Sequence, residues 1–576
     1  MAGGMAVKRL DDPATQPWQP RDGASEREKE GLGKVGLVLI VCLMTLPFLV
    51  FLFAGRERAT TVWHSASAKL TAISGGFMNI SASTTSATKH DELLGGLLSP
   101  GFDRNSCLSR YQSHQYHKYS PYAPSSYLLH KLREYEARHK KCAPGTPLYA
   151  KAVEQLRSGR GTEAMECNYL VWLPFEGLGN RMLSLISTFV YALLTDRVIL
   201  VHSPADFVDL FCEPFPNTTW VLPPDFPVPN LSRLGMNPEQ RYSNLLDKKK
   251  MVNDPAKATV RSVPPYVFLN LGHEHKFMDK QFYCSDDQLV LAKVNWLLVF
   301  NDLHIVPTLY SMAQFKDELQ RLFPAKESAA HLIARYLLHP TNPVWGLVTR
   351  YYHSYLAQAK QRIGVQIRMF RFATIPVDDM YKQILACSRQ EHILPEIEGD
   401  QAESIGNLGT RTTNGTASGG DGDAAAGSKA ILITSLYDNY YERIRSTYYE
   451  HEAKGGVRVS VFQPSHEQVQ ATQRRGHNQK ALAEIYLLSF SDVLLTSGMS
   501  TFGYLSSSLA GVRPTILTTA IGHKVPATPC VRAVSMEPCN LTPPRVTCRG
   551  YAEDKEDLAR HVMRCEDDQR GIKWFD

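Results

Sequence analysis

Several short stretches of this chain combine residue types and spacings able to hold an anion and stabilise a departing charge. Ile363–Phe370 reads as a β-strand carrying Arg368 near its carboxyl end, where open α/β sheets bind their ligands. A guanidinium there offers a bidentate fork to a diphosphate and stabilises charge as it leaves; the plainer reading is a surface salt bridge. Ser497-Gly498-Met499-Ser500-Thr501-Phe502-Gly503 is a strand–loop–helix turn rich in hydroxyls and glycine. It suits a phosphate or base nest, or else it is a helix entry capped by Ser500. His477-Asn478-Gln479-Lys480 opens the helix before it.

Gly177-Leu178-Gly179-Asn180-Arg181 is a second turn of this kind, nearer the amino terminus. Two glycines permit a tight turn and close backbone approach, and the following helix aims its first amides at whatever docks there. Arg181 adds a cation. The alternative is a helix-entry turn with Asn180 as its cap. Asp302 follows the apolar run Trp296–Phe300 and reads equally as a sugar-positioning or base carboxylate and as a turn aspartate. Nothing around His304 singles it out. Asp421-Gly422-Asp423 matches an Asp-x-Asp metal motif, but it lies in a low-complexity stretch too loose for divalent coordination. No metal site is expected.

These turns need an α/β scaffold to position them. Tyr169–Pro174 and Val198–Val201 read as strands around a helix with apolar residues at Met182, Leu185, Ile186, Phe189 and Leu193. Further on, Ile363–Phe370, Ala430–Thr434, Val457–Phe462, Asp492–Ser497 and Thr515–Thr518 read as strands, with helices Asn478–Phe490 and Thr501–Ala510 between the last of them. Runs apolar on both faces, such as Val493-Leu494-Leu495, suit a parallel sheet covered by helices. The expectation is two Rossmann-like domains facing a cleft, 106–355 and 356–576, joined near 340–360. A surface insertion is expected over 396–428.

Composition bounds the class. With 43% hydrophobic and 10% aromatic residues among 576, the chain is neither disordered nor fibrous. A formal charge of +6 without a long basic run gives no nucleic-acid footprint. Val35–Gly55 is uncharged and apolar, long enough to span a bilayer and too long for most signal h-regions. A cleaved signal peptide is the competing reading. With an anchor, 1–34 is a cytosolic tail and the Ser/Thr-rich 56–105 a flexible stem. Five N-x-Ser/Thr sequons, at Asn79, Asn217, Asn230, Asn414 and Asn540, all follow the span. Of eleven cysteines, Cys42 lies in the span. The other ten fit up to five disulfides in an oxidising lumen, or ten reduced buried thiols. No CxxC occurs, which argues against a thiolate zinc site.

Taken together the blocks resemble the plant fucosyltransferases of the xyloglucan type. The likeness is carried by Glu176-Gly177-Leu178-Gly179-Asn180-Arg181-Met182 and Tyr191–Val198. It continues in Arg335-Tyr336-Leu337-Leu338-His339-Pro340-Thr341-Asn342, Gly364-Val365-Gln366-Ile367-Arg368 and Ser500-Thr501-Phe502-Gly503-Tyr504. The resemblance implies a GT-B-like α/β architecture behind a single transmembrane helix and stem, with the catalytic domain lumenal on the Golgi membrane. It implies GDP-fucose as donor, no cofactor, metal-independent inverting transfer, and an α1,2 link to a terminal galactose of a wall polysaccharide or proteoglycan. It makes Arg368, Asp302 and Asn180 the catalytic candidates. Arg368, Gln366, His477, Asn478, Ser500, Thr501, Phe502 and Gly503 become the nucleotide-binding candidates, and Gly179, Asn180 and Arg181 the acceptor side. Xyloglucan is the expected acceptor; an arabinogalactan-protein or xylan acceptor, and a catalytically silent glycan-binding assembly partner, are the alternatives. A homodimer is compatible with all of them. Arg371, where an acidic residue is expected, and the long insertion depart from the family pattern.

Overall fold

The computed structural model describes residues 91–117, 121–159, 164–203, 207–231, 237–398, 427–546, 548 and 560–576. The expected tail, the anchor at 35–55, Asn79, Asn414, Asp421-Gly422-Asp423 and most of the 396–428 insertion lie outside these residues. Among the described residues no helix is long and apolar enough to cross a membrane. Lys89–Asp576 form one compact unit.

Two parallel sheets organise that unit. The first has the order β2-β1-β4-β3, from β1 (Tyr169–Leu173), β2 (Val198–Val201), β3 (Tyr266–Asn270) and β4 (Trp296–Phe300). Every residue of β1, β2 and β4 is buried, as expected for strands covered on both faces. The second has the order β10-β9-β8-β5-β6-β7. Its strands are β5 (Gln361–Ile367), β6 (Ser428–Ser435), β7 (Arg458–Phe462), β8 (Val493–Ser497), β9 (Thr515–Leu517) and β10 (Cys530–Arg532). Only β10 runs antiparallel to its neighbour. The chain leaves β5 toward β6 and β7, then returns to place β8 and β9 on the other side. The strand order therefore reverses between β5 and β8, which remain parallel to each other. β11 (Val562–Arg564) and β12 (Ile572–Trp574) form a separate antiparallel ribbon.

Four helices bear on the site: α1 (Leu178–Leu194), α2 (Val377–Glu391), α3 (Arg475–Ser489) and α4 (Thr501–Ala510). α1 is buried nearly all round, because its sequence is apolar well beyond one stripe. The strand expected at Ile363–Phe370 stops at Ile367, which leaves Arg368 in the turn beyond the sheet. β3 was not expected.

The C-terminal segment does not stay with the second sheet. Glu537 Oε1 lies 2.6 Å from His304 Nε2, and His304 Nδ1 lies 3.2 Å from Ser187 on α1. Asn540 Nδ2 donates to Thr308 at 2.7 Å. Leu97 and Leu98, expected in a loose stem, are buried at 1% and 3% exposure. At the described edges of the insertion, Ile397 bridges Ala453 and Ser428 opens β6.

All ten cysteines outside the apolar span are paired: Cys107–Cys212, Cys142–Cys167, Cys284–Cys548, Cys387–Cys530 and Cys539–Cys565. This settles the choice between disulfides and buried thiols. Cys387–Cys530 ties α2 to the edge strand β10 across a separation of 143 residues. Replacing both cysteines with serine should lower stability by about 2–5 kcal/mol, read as a lower urea midpoint with an m-value that rises as the unfolded chain loses its cross-link. Asn217 and Asn230 are exposed at positive φ, whereas Asn540 is fully buried. Peptide mass spectrometry of protein from a eukaryotic secretory host should find glycan at Asn217 and Asn230 and none at Asn540.

Candidate active site

A cavity of about 450 Å³ opens where the carboxyl ends of both sheets meet. From the second sheet it is lined by Gln366, Arg368, Met499, Ser500 and Thr501, at the β5/β8 reversal where such sheets form their crevice. From the first sheet it is lined by Glu176–Asn180, the turn between β1 and α1.

Side chains hold the crevice open. Arg368 N donates to Ser497 Oγ at 2.8 Å, and Ser497 N donates to Gln366 Oε1 at 3.3 Å. The ends of β5 and β8 are thereby fixed beyond the last ladder bond. The Arg368 guanidinium donates to Gln470 Oε1 at 3.0 Å and sits 5.8 Å from the centre of the Phe370 ring. Phe370 stacks on Phe372, which is 62% exposed. Beyond β8 the chain turns through Met499 at φ 57°, whose N–H donates to Asp567 Oδ2 at 2.7 Å. Asp567 also accepts from Tyr504 OH at 2.5 Å, and burial beside this carboxylate pushes the Tyr504 hydroxyl well above its usual range. Ser500 is the N-cap of α4 but makes no side-chain capping bond. The plainer capping reading is therefore not what is seen, and the positive end of α4 faces the cavity.

The glycine turn of the first sheet meets α4 directly. A Cβ on Gly179 would stand 2.3 Å from Thr501 Oγ1, and one on Gly177 would stand 2.7 Å from Gln470 Nε2. Thr501 donates to Asn180 Oδ1 at 3.0 Å. Gly177, not Asn180, is the N-cap of α1; Asn180 sits inside the first turn with its carbonyl committed to Thr501. Glu176 adopts φ 62°, and its carbonyl accepts from Arg181 Nε at 2.9 Å.

The loop between β7 and α3 forms the remaining wall. Asn478 Nδ2 donates to the Thr472 carbonyl at 2.8 Å. Glu467 pairs with Lys480 at 2.6 Å and lies 3.6 Å from His477. Ser465 donates to Glu484 at 2.5 Å. Glu484 lines the cavity, and burial, reinforced by nearby Glu467, pushes its carboxyl up to about 7.

Of the residues singled out in the sequence, Gly179, Asn180, Gln366, Arg368, His477, Asn478, Ser500, Thr501 and Phe502 share this cavity. Three are placed elsewhere. Gly503 packs α4 onto β8, where a Cβ would meet Thr496 at 2.7 Å. Arg181 is turned back onto the Glu176 carbonyl. Asp302, expected to face the transferred sugar, is buried beyond β4 and engaged by His273. Arg371 is exposed in a short turn past Phe370. Gln470, Glu484, Asp568 and Arg570 also line the cavity and were not anticipated. They come from an irregular loop, a helix interior and the C-terminal segment, where no motif marks them. The three candidate metal ligands brought together among the described residues, Cys539, Cys565 and Asp567, include a disulfide pair.

Residues 68–549 match the xyloglucan fucosyltransferase family. The chain is 46% identical to a galactoside 2-alpha-L-fucosyltransferase of Pisum sativum, over 84% of this chain and 82% of the relative. It is 44% identical to a galactoside 2-alpha-L-fucosyltransferase of Arabidopsis thaliana, over 84% of this chain and 83% of that one. Among solved structures it is similar to a mutant of Arabidopsis thaliana FUT1 in complex with GDP, with 43% identity and a TM-score of 0.74, covering 84% of this chain and all (100%) of the other. With the family matched over most of its length, and with relatives this similar, the chain belongs to the xyloglucan fucosyltransferase family.

Proposed function

We propose that this fucosyltransferase is a single-pass type II Golgi membrane enzyme of GT-B architecture. In this reading it moves L-fucose from GDP-fucose, with inversion and without a metal ion or cofactor, onto the 2-hydroxyl of a terminal galactose of cell-wall xyloglucan. The observation that carries the reading is Arg368 beside the uncapped amino end of α4 in a cavity walled by both sheets. The relatives' names support the acceptor linkage, and the GDP in the similar structure supports the nucleotide.

The chemistry follows from the charges. As the bond from fucose C1 to the diphosphate stretches, the sugar becomes oxocarbenium-like and negative charge gathers on the leaving oxygen. Arg368 is held now by a neutral amide, Gln470, so exchanging that partner for phosphate trades a weak acceptor for a charged one. The helix dipole of α4 acts in the same direction. Together they supply the stabilisation that a divalent ion gives elsewhere. Arg368→Ala should lower kcat by about 10²–10³-fold, with an unchanged melting temperature. EDTA should leave wild-type turnover within about twofold, whereas a metal requirement would abolish it. A panel of galactosylated xyloglucan, arabinogalactan and xylan oligosaccharides fixes the acceptor; transfer to xyloglucan is expected, and hydrolysis-free, transfer-free binding would mean a silent partner.

Glu484 gives a pH dependence. Its folded value of about 7 lies above the unfolded value of 4.5, so the folded state holds the proton across that window. Stability falls as pH rises from 4.5 to 7, with the full cost above 7. The neutral form also repels an anionic nucleotide less. GDP affinity, measured by calorimetry, should strengthen as pH drops through 7, and Glu484→Gln should flatten the response. Gly179→Ala inserts a methyl into the α1–α4 contact. It should cost about 1–3 kcal/mol and weaken GDP binding, read by thermal melting and by calorimetry.

A further inference from the structure

We infer that Phe372 is a stacking platform for a sugar ring of the acceptor, behind the terminal galactose that receives fucose. This rests on the transfer reaction proposed above. A row of three side chains leads outward from the charged end of the cavity, and all three line it. The Arg368 guanidinium sits 5.8 Å from the centre of the Phe370 ring. The Phe370 and Phe372 rings are stacked, with centres 5.4 Å apart and planes 14° from parallel. Phe370 is half-buried and packs against the apolar core of the second sheet. Phe372 is 62% exposed. One face of its ring is turned to Phe370, and most of the remainder is open to solvent one stacking step beyond the group that holds the diphosphate.

The ring is fixed in place by its own turn. Phe372 is the middle residue of the short turn Arg371–Ala373. Ala373 N donates to the Phe370 carbonyl at 2.9 Å, and Thr374 Oγ1 donates to the same carbonyl at 3.0 Å. Ala373 is buried, and His523 Nδ1 donates to the Thr374 carbonyl at 2.7 Å. A phenylalanine exposed singly on a surface needs no explanation. This one is ordered before any ligand arrives, so little freedom is lost when a second ring settles on it.

The chemistry selects a sugar. A phenyl face carries the negative part of the ring quadrupole, and a pyranose presents axial C–H bonds, with slightly positive hydrogens, on one face. Stacking the two removes apolar surface from water on both while the sugar hydroxyls at the rim stay hydrated. The base of the nucleotide has a better place. Bases are read by hydrogen bonds to their edges, and Ser465, Glu467, His477 and Asn478 line the same cavity, whereas a phenyl ring has neither donor nor acceptor. With the diphosphate at Arg368 and the base on that polar wall, the exposed ring is left for the part of the acceptor that stays outside.

The test compares wild type, Phe372→Ala and Phe372→Trp in steady-state transfer from GDP-fucose to a galactosylated xyloglucan oligosaccharide. Calorimetry adds the affinity for GDP and then, on the GDP complex, for the oligosaccharide. Phe372→Ala should raise the acceptor KM and Kd about 3–10-fold, with kcat, the KM for GDP-fucose and the GDP affinity within about twofold of wild type. Its melting temperature should not change, and Phe372→Trp should restore the acceptor constants, a rescue that a merely structural role would not give. Acceptor constants within about twofold of wild type in Phe372→Ala overturn the assignment. So does a loss confined to GDP and GDP-fucose, which would put the base on this ring, or an equal loss in Phe372→Trp. A wild-type enzyme that transfers no fucose overturns the transfer reading instead; the oligosaccharide titration then still decides the platform, and absence of binding by wild type overturns both.

Discussion

The cavity depends on the amino ends of two helices from different sheets meeting without a side chain between them. Gly179 stands where any Cβ would collide with Thr501, and Asn180 receives the Thr501 hydroxyl. Helices that meet amino end to amino end bring two positive poles together. That arrangement repels itself when the space between is empty and is relieved by an anion. The single hydrogen bond from Thr501 to Asn180 opposes the repulsion only in part. The geometry that closes the cleft therefore also favours a charged diphosphate inside it.

Buried charge holds the two sheets in register. Glu537 accepts the Ala330 amide at 2.9 Å and meets His304, which in turn contacts Ser187 on α1. Burial pushes the Glu537 carboxyl up, opposed by His304. Glu327 accepts Arg513 Nε at 3.0 Å and the Met536 amide at 3.1 Å. Removing Arg513 or His304 leaves a buried carboxylate without its partner, which is far costlier than losing a surface bridge. These contacts, with Cys284–Cys548, bind the C-terminal segment to the first half of the chain and explain why two sheets make one compact unit.

The scaffold was largely legible because its signals are local. Fully apolar runs such as Trp296–Phe300 and Val493-Leu494-Leu495 admit little besides buried parallel strands, and Thr501–Ala510 forms the helix its pattern predicts. Arg368 was visible because it ends such a run. What stayed hidden depends on distant partners. Tyr266–Asn270 is short and follows two prolines, so nothing local separates it from a loop. Gln470 and Arg570 reach the cavity only through tertiary folding. Asp302 was noticed as a carboxylate at a strand end, but its partner lies in the loop after an unrecognised strand. Without β3, His273 had no place beside it, and Asp302 stayed open between a sugar-positioning or base carboxylate and a turn aspartate. His304 looked ordinary for the same reason, since Glu537 is remote in sequence.

The wall formed by Asp568 and Arg570, with Asp567 anchoring Met499 and Tyr504 behind it, belongs to the segment pinned by Cys539–Cys565. The strands of both sheets, the last of them ending at Arg532, all precede that segment in the chain. A chain synthesised to that point carries nearly all of the scaffold while the cavity still lacks one side. The cavity is thus walled on one side by nearly the last residues of the chain, so the ligand site is completed after the core that supports it.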